Sequence, residues 1–236
     1  MVFLSYAICV CDEVREIRLL LTFLNEVRDR DTTEIVILID SKRSTEELAK
    51  CLKEFDDTIT AYTRDFDGDY SEHKNFLNSK CNGKYIFNID ADEIPQESLV
   101  KYAENLKDDV DVIVVPRINI CPGYSSAFIK RWNFTLNNAG WINWPDYQGR
   151  IYRNDPEVKW VGKVHEKISA KTVAVFTKEP DASVALWHVK DTIRQNKQNE
   201  YYLEIEKKAA QLARVEQLEK NSEIVVNEID QDGSGK

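Results

Sequence analysis

The sequence predicts an α/β fold, a mostly parallel sheet flanked by helices, on the strength of three observations. Short apolar runs alternate along the first half with segments whose apolar residues recur at helical spacing, the pattern of β-strands joined by crossover helices. Acidic residues stand at or just beyond the ends of the first four runs: Asp12 and Glu13, Asp40, Asp65 and Asp67, then Asp90, Asp92 and Glu93. Sheets of this kind bind ligands outside the carboxyl ends of their strands. The chain has 236 residues, which suits one ordinary domain, or one domain with an appendage, and is too short for two large ones.

The elements follow in order. Residues 6–10 form the first apolar run; Asp12 then offers an N-cap, and Val14, Ile17, Leu20, Leu21, Leu24 and Val27 mark one face of a helix. A second strand over 35–39 ends at Asp40. Ser44 and Glu47 have the spacing of a capping box that opens a helix towards Phe55. Residues 58–63, β-branched and aromatic, read as a third strand. Residues 70–81 read as a helix stopped by Gly83 as its C′ residue, and 85–89 as the strand that delivers Asp90. Pro95 is placed to start a further helix, and 110–115 forms another buried strand. Connection rules make this βαβ succession a parallel sheet with helices on both faces.

From 116 to about 160 the pattern loosens, and four of the five tryptophans, Trp132, Trp141, Trp144 and Trp160, stand there among Gly, Pro and Asn. An irregular aromatic segment beside an acidic pocket suits a wall for a flat, partly apolar ligand such as a sugar ring, with core packing as the alternative for any single Trp. The organisation expected is a main domain over 1–192, a charged helix over 193–220 and a mobile polar tail over 221–236. Asp230-Gln231-Asp232-Gly233-Ser234-Gly235 resembles the start of a calcium loop but is read as part of that tail.

Composition excludes several classes. Apolar runs such as 35–39 fall far short of the ~20 residues a membrane span needs, and the first seven residues lack the basic and long apolar regions of a signal peptide. With 32 basic residues against 41 acidic ones, the net charge of −9 argues against a protein held to nucleic acid by phosphate contacts. The five cysteines, Cys9, Cys11, Cys51, Cys81 and Cys121, show no paired metal-site spacing, so free thiols in a reducing compartment are expected, and with them a cytoplasmic protein without an anchor of its own.

Asp90-Ala91-Asp92-Glu93 is the most informative tetrad. An apolar strand brings its carboxylates to one place at the sheet edge, where they repel one another unless a cation neutralises them. Oxygen ligands suit Mg²⁺ or Mn²⁺.

Three stretches then resemble the family 2 glycosyltransferases, particularly bacterial and viral members whose nucleotide-sugar domain has the Rossmann-like glycosyltransferase A-type fold. The first runs from Tyr70-Ser71-Glu72-His73-Lys74-Asn75-Phe76 through Gly83-Lys84-Tyr85-Ile86 to the Asp90 tetrad. The second is Gln148-Gly149-Arg150-Ile151-Tyr152-Arg153, followed by Gly162-Lys163-Val164-His165-Glu166. The third is Leu186-Trp187-His188. The chain departs from the family in having Cys11-Asp12-Glu13 where Lys-Asn-Glu is common, and Lys74-Asn75 where Arg-Asn is common.

The resemblance implies a hexosyltransferase that moves a sugar from a nucleotide diphosphate donor, expected to be a UDP-sugar, to the hydroxyl of a carbohydrate or other acceptor. It implies a Mn²⁺ or Mg²⁺ cofactor held by Asp92, Asp90 and His188, which stabilises the leaving diphosphate. Asp90 alternatively faces the ribose. Asp12 and Asp40 would meet base and ribose, and Lys74 the diphosphate or a pocket carboxylate. Arg150 would meet the diphosphate, and Arg153 would pair with Asp155 or another surface acid. Glu166 would be the general base of an inverting transfer. Trp144, Trp160 and His165 would line the acceptor side, about 116–170, and His73 would be a solvated helix residue. Two other readings compete: a metal-dependent nucleotidyltransferase, disfavoured because no Gly-rich triphosphate loop follows the first strand, and a noncatalytic carbohydrate-binding or assembly protein.

Overall fold

Strands that are largely apolar and buried at most positions, as the central ones are, must be covered on both faces, and this requirement shapes the molecule. The computed structural model describes residues 1–107, 110–177, 179–205 and 207. The chain runs β1 (Leu4–Val10), α1 (Val14–Val27), β2 (Thr33–Asp40), α2 (Glu46–Lys53), β3 (Thr60–Arg64), α3 (Tyr70–Asn78), β4 (Tyr85–Asp90), β5 (Glu93–Pro95), α4 (Glu97–Glu104), β6 (Val112–Val115), β7 (Arg117–Ile120), α5 (Ser126–Arg131), β8 (Gln148–Arg153), β9 (Lys159–Val161), β10 (Lys167–Ser169), β11 (Val173–Val175) and β12 (Leu186–Val189).

Seven strands form the main sheet in the order β11-β6-β8-β4-β1-β2-β3. β4, β1, β2 and β3 are mutually parallel, whereas β8 runs antiparallel to both β4 and β6. Alternate residues feed two cores. Leu4, Tyr6, Ile8, Ile35 and Ile37 pack with Ile17, Leu20, Leu21 and Leu24 of α1, while Ala7, Val36, Leu38 and Ile86 pack with Leu77 of α3, Tyr152 and Trp160. The register sets Cys9 level with both Leu38 and Asp90, and Asp40 level with Arg64. The acids therefore emerge along one edge.

A second sheet, β5-β12-β7, stands beyond that edge. β12 runs antiparallel to β5, which sets His188 opposite Glu93, and parallel to β7, which sets it opposite Asn119. This sheet is the main departure from the sequence reading, since 116–160 was read as irregular and instead supplies β7, α5 and β8.

Smaller corrections concern element ends. Glu13, not Asp12, occupies the N-cap of α1, and its carboxylate accepts from the backbone N–H groups of Cys11 and Asp12. Thr45, not Ser44, caps α2 by accepting from the Leu48 N–H. β3 begins at Thr60 because 58 and 59 still turn out of α2 through bonds to the Phe55 carbonyl. α3 ends at Asn78, well before Gly83, and Pro95 closes β5 while α4 starts two residues later.

The chain divides into two units, Met1–Thr192 and Ile193–Lys236. All the strands among the described residues lie in the first. In the second, 193–205 and 207 are helical; the remainder of the helix expected to 220, the tail over 221–236 and the calcium-loop-like segment from Asp230 lie outside the described residues. Among the described residues no helix is long and apolar enough to cross a membrane.

Candidate active site

Apart from Asn88, whose amide donates to the Ala7 carbonyl inside the sheet, β4 is apolar until its last residue, so Asp90 leaves the core at the strand end and the chain turns at once into β5. Glu93, the first residue of β5, is fully buried and closes this turn: its Oε2 accepts from the Asp90 N–H at 3.1 Å. Two arginines answer its charge, with Oε1 accepting from Nη2 of Arg150 at 2.6 Å and from Nη1 of Arg117 at 2.9 Å. Arg150, itself buried on β8, also donates to Asp90 Oδ2 at 2.6 Å. Burial works to raise the Asp90 pKa, but Arg150 and then Lys74 outweigh it and hold the carboxylate below its usual range. Burial likewise acts to lower Arg150, and Asp90 and Glu93 more than reverse that. Arg150 is thus a permanent cation aimed at the tetrad.

Asp92 faces the second sheet. Its Oδ2 stands 3.5 Å from Nε2 of His188 and 2.8 Å from Nζ of Lys190. Burial opposes ionisation, yet His188 and then Lys190 keep the Asp92 pKa well below the ordinary value. Of the three expected metal ligands, Asp92 and His188 come together through the β5/β12 pairing, whereas both Asp90 oxygens face cations of the chain, Arg150 and Lys74. A carboxylate oxygen beside an imidazole nitrogen suits Mn²⁺ and tolerates Mg²⁺, so the Asp92–His188 pair fits a divalent cation.

Lys74, on α3, is buried under the ring of Trp160, with Nζ 4.3 Å from the ring centroid. It donates to Glu166 Oε1 at 2.8 Å and lies 3.6 Å from Asp90 Oδ1. Burial acts to lower its pKa; Asp90 and Glu166 overcome that and raise it. Asn75 fastens the same helix to β9 by exchanging two bonds with the Trp160 backbone. The left-handed backbone at Gly162 (φ 98°) and His165 (φ 51°) then bends the chain so that Glu166 returns to Lys74. His165 itself is exposed on this bend.

On the nucleotide side the acids do less than expected. Asp40 is buried and saturated within the chain: Oδ1 accepts from the Lys42 and Phe66 N–H groups and Oδ2 from Nε of Arg43 at 2.7 Å. It organises the loops after β2 and β3 instead of presenting a free carboxylate. Asp12 is exposed, and one ligand atom from each of Cys11, Asp12 and Glu13 lies within 4.8 Å of the others. His73 is 6% exposed, not solvated, and packs edge-on against Phe66. Burial, then Arg64, lowers its pKa.

The tryptophans also divide. Trp160 is 5% exposed and donates from Nε1 to the Tyr152 hydroxyl, so it is core and a bed for Lys74, not a ligand wall. Trp144 is half-buried and meets Trp141 edge-on at 5.1 Å, and Trp141 meets Trp187, the neighbour of His188, at 6.4 Å. Arg153 lies 3.4 Å from Asp111, a surface acid other than Asp155. Sequence reasoning missed Glu93 as a buried anchor, together with Arg117, Asn119, Asp146 and Lys190. Lys190 carried a signal, since it lies two residues beyond His188, just past the end of β12.

The model of Glycosyl transferase family 2 matches residues 5–167. Among solved structures, S. aureus TarS 1–349 in complex with UDP-GlcNAc superposes with a TM-score of 0.54 at 16% identity, covering 80% of this chain and 59% of that one. TarS 1–349 without that ligand gives 0.53 at 15% identity, over 80% and 60%. Mannosyltransferase PcManGT from Pyrobaculum calidifontis, in complex with GDP-Man and Mn²⁺, gives 0.47 at 13% identity, over 79% and 56%. The chain thus spans about three fifths of the TarS chain, and the TarS likeness establishes the fold. No curated protein matches the chain in sequence.

Proposed function

The chain belongs to glycosyl transferase family 2, and from that premise we propose that it transfers a hexosyl group from a nucleotide diphosphate donor, a UDP-sugar first among candidates, to an acceptor hydroxyl with inversion at the anomeric carbon. The observation that carries this reading is the convergence of Asp92 with His188, and of Asp90 with Arg150 and Lys74, at the carboxyl end of the sheet. A nucleotidyltransferase has no evident need of the further carboxylate, Glu166, that Lys74 holds beside this cluster.

The residues have distinct tasks. The buried cations Arg150 and Lys74 offset the charge that grows on the diphosphate as its bond to the anomeric carbon breaks. Asp92 and His188 would hold Mn²⁺ or Mg²⁺, which would supply Lewis-acid stabilisation of the same leaving group. Glu166 takes the acceptor proton as the acceptor oxygen bonds to the anomeric carbon; Lys74 engages its Oε1, leaving Oε2 to act as base. Asp12 meets the nucleoside, with Asp40 shaping that pocket through Arg43 and Phe66. Trp144 and its aromatic neighbours, with His165, receive the acceptor sugar. The five free cysteines support a reducing, cytoplasmic setting.

The test is donor turnover. The protein is incubated with a panel of UDP- and GDP-sugars, Mn²⁺ and candidate acceptors, and free nucleoside diphosphate and product anomer are measured. Release by the wild type, lost in Asp92→Asn, is expected. Binding of sugars with no release supports the noncatalytic alternative, and pyrophosphate release from a nucleoside triphosphate supports the nucleotidyltransferase; either result overturns the proposal.

A further inference from the structure

We propose that Asn119, anchored by Asp146, fixes the tautomer of His188 so that Nε2 is kept as a metal-donor lone pair beside Asp92. This rests on the reading of Asp92 and His188 as the cation site and adds a positioning residue to it.

The argument starts from a group that can only donate. The Arg117 guanidinium gives Nε and Nη2 to Asp146 Oδ2, at 2.9 and 2.6 Å, and Gln148 donates to Oδ1 at 2.7 Å. Burial acts against the charge on Asp146, but Arg117 and the bond from Asn119 lower its pKa, so the carboxylate only accepts. The Asn119 amide must then present Nδ2 to it, at 2.8 Å, and the same nitrogen reaches the Ile142 carbonyl at 3.3 Å. With both amide protons facing acceptors, the orientation of the amide is set by its neighbours. Oδ1 is left facing Nδ1 of His188 at 2.7 Å, and an amide oxygen there requires the proton on Nδ1.

The consequence falls on the other ring nitrogen. In the neutral ring Nε2 then carries a lone pair, and it points at Asp92 Oδ2 from 3.5 Å. Two lone pairs across that gap repel, and a divalent cation between them turns the repulsion into coordination. Without the Asn119 oxygen the ring is free to take the Nε2–H tautomer and donate to Asp92. That bond satisfies both groups and removes the nitrogen ligand. Parallel pairing of β12 with β7 sets His188 level with Asn119, so the second sheet itself delivers the pair in register.

The chain has three histidines, so long-range ¹H–¹⁵N spectra of ¹⁵N-histidine protein, recorded metal-free at about pH 8, above ordinary imidazole titration, resolve the tautomers, with His188→Ala giving the assignment. Mn²⁺ affinity is measured in parallel by electron paramagnetic resonance in the presence of UDP. The expected result is an Nδ1–H ring at His188 in the wild type. Asn119→Leu should convert it to Nε2–H, leave the other two rings unchanged and weaken Mn²⁺ by ~10–100-fold. Asp146→Asn, which keeps the size but frees the Asn119 amide to rotate, should give a mixture of tautomers and serves if Asn119→Leu does not fold. An Nε2–H ring in the wild type overturns the role of Asn119. So does an Asn119→Leu protein with wild-type tautomer and affinity. Mn²⁺ binding that survives both Asp92→Asn and His188→Ala overturns the cation site, and this inference with it.

Discussion

Glu166 has two roles open to it, base and counter-ion, because the atom that holds it, Nζ of Lys74, also faces Asp90. Replacement separates them. Glu166→Gln keeps the shape and a partner for Lys74, so as the base it should lose ~10²–10⁴-fold in kcat with donor affinity retained. Loss of UDP binding in that variant, measured by calorimetry, assigns Glu166 to the support of Lys74 instead. A second residue, Lys190, competes with any metal for Asp92 Oδ2. Lys190→Met should therefore tighten Mn²⁺ binding in the absence of nucleotide by several-fold, and weaker binding rejects the competition. Asp90, Asp92, Lys74, Arg150, Glu166 and His188 each stand in a short motif or beside a strand end, so the sequence singles them out, and the fold brings Asp90 to Arg150 and Lys74, Lys74 to Glu166, and Asp92 to His188. Glu93, Arg117, Asn119 and Asp146 form the supporting shell through contacts between strands far apart in sequence, and no local spacing records such contacts. His73 and Trp160 were misread for a related reason. α3 buries Ser71, His73, Lys74 and Leu77, a mostly polar face that no hydrophobic period reveals.

At the scale of elements, Gly83 shows how the same residue can be read correctly as special and for the wrong cause. It does not stop α3. A Cβ on it would sit 2.6 Å from the Ser5 nitrogen and 2.8 Å from the Leu4 carbonyl carbon. These are backbone atoms of β1, the strand bonded to both β2 and β4, so neither can yield without disturbing the sheet. The Gly83 N–H donates to the Ser5 hydroxyl, which in turn donates to Glu34, so the close approach also ties three strands' ends together. Gly83→Ala should cost at least the ~1–3 kcal/mol of ordinary overpacking, read as a lower urea midpoint at unchanged slope. A midpoint equal to wild type rejects the close-approach account and returns Gly83 to the status of a loop residue. The strands β1, β2 and β4 were readable because they are largely apolar runs buried along most of their length, and α1 and α2 because their buried residues recur at helical spacing. β5, β7, β9 and β12 have three or four residues each. Over so short a span a strand carries no period, and pairing partners decide its existence.

Across the whole molecule, an apolar sheet carries at one end a set of buried charges whose titration departs from that of the unfolded chain, and this fixes the sign of the pH dependence. Asp40, Asp90, Asp92 and Asp146 all have lowered pKa values, their partner cations outweighing the burial that opposes ionisation. Each contributes stability that is fully present above about pH 4, the unfolded value, and is lost as pH falls through the folded one. His73, lowered by burial and then by Arg64, acts in the same direction from a higher starting point. The unfolded imidazole takes a proton near pH 6.5 while the folded one resists it, so stability begins to decline there. Lys74, raised by Asp90 and Glu166 against burial, contributes below its unfolded value of about 10.4 and loses that only in strong alkali. The urea midpoint should therefore be flat from about pH 7 to 8, decline gently below about 6.5 and steeply below about 4, and decline again above about 8.5, where the thiols of the unfolded chain ionise while burial keeps the folded ones protonated. His73→Phe should abolish the gentle stage, since the ring still packs against Phe66 but no longer titrates, and leave the steep one. Asp90→Asn and Asp92→Asn should lie below wild type at pH 7 by a deficit that shrinks progressively as pH falls below about 4, where the unfolded carboxylates take up protons while the folded ones resist. A wild-type midpoint that rises or holds constant between pH 5 and 3, or variants whose deficit is the same at pH 3 as at pH 7, rules out the buried charge cluster as the source of acid sensitivity.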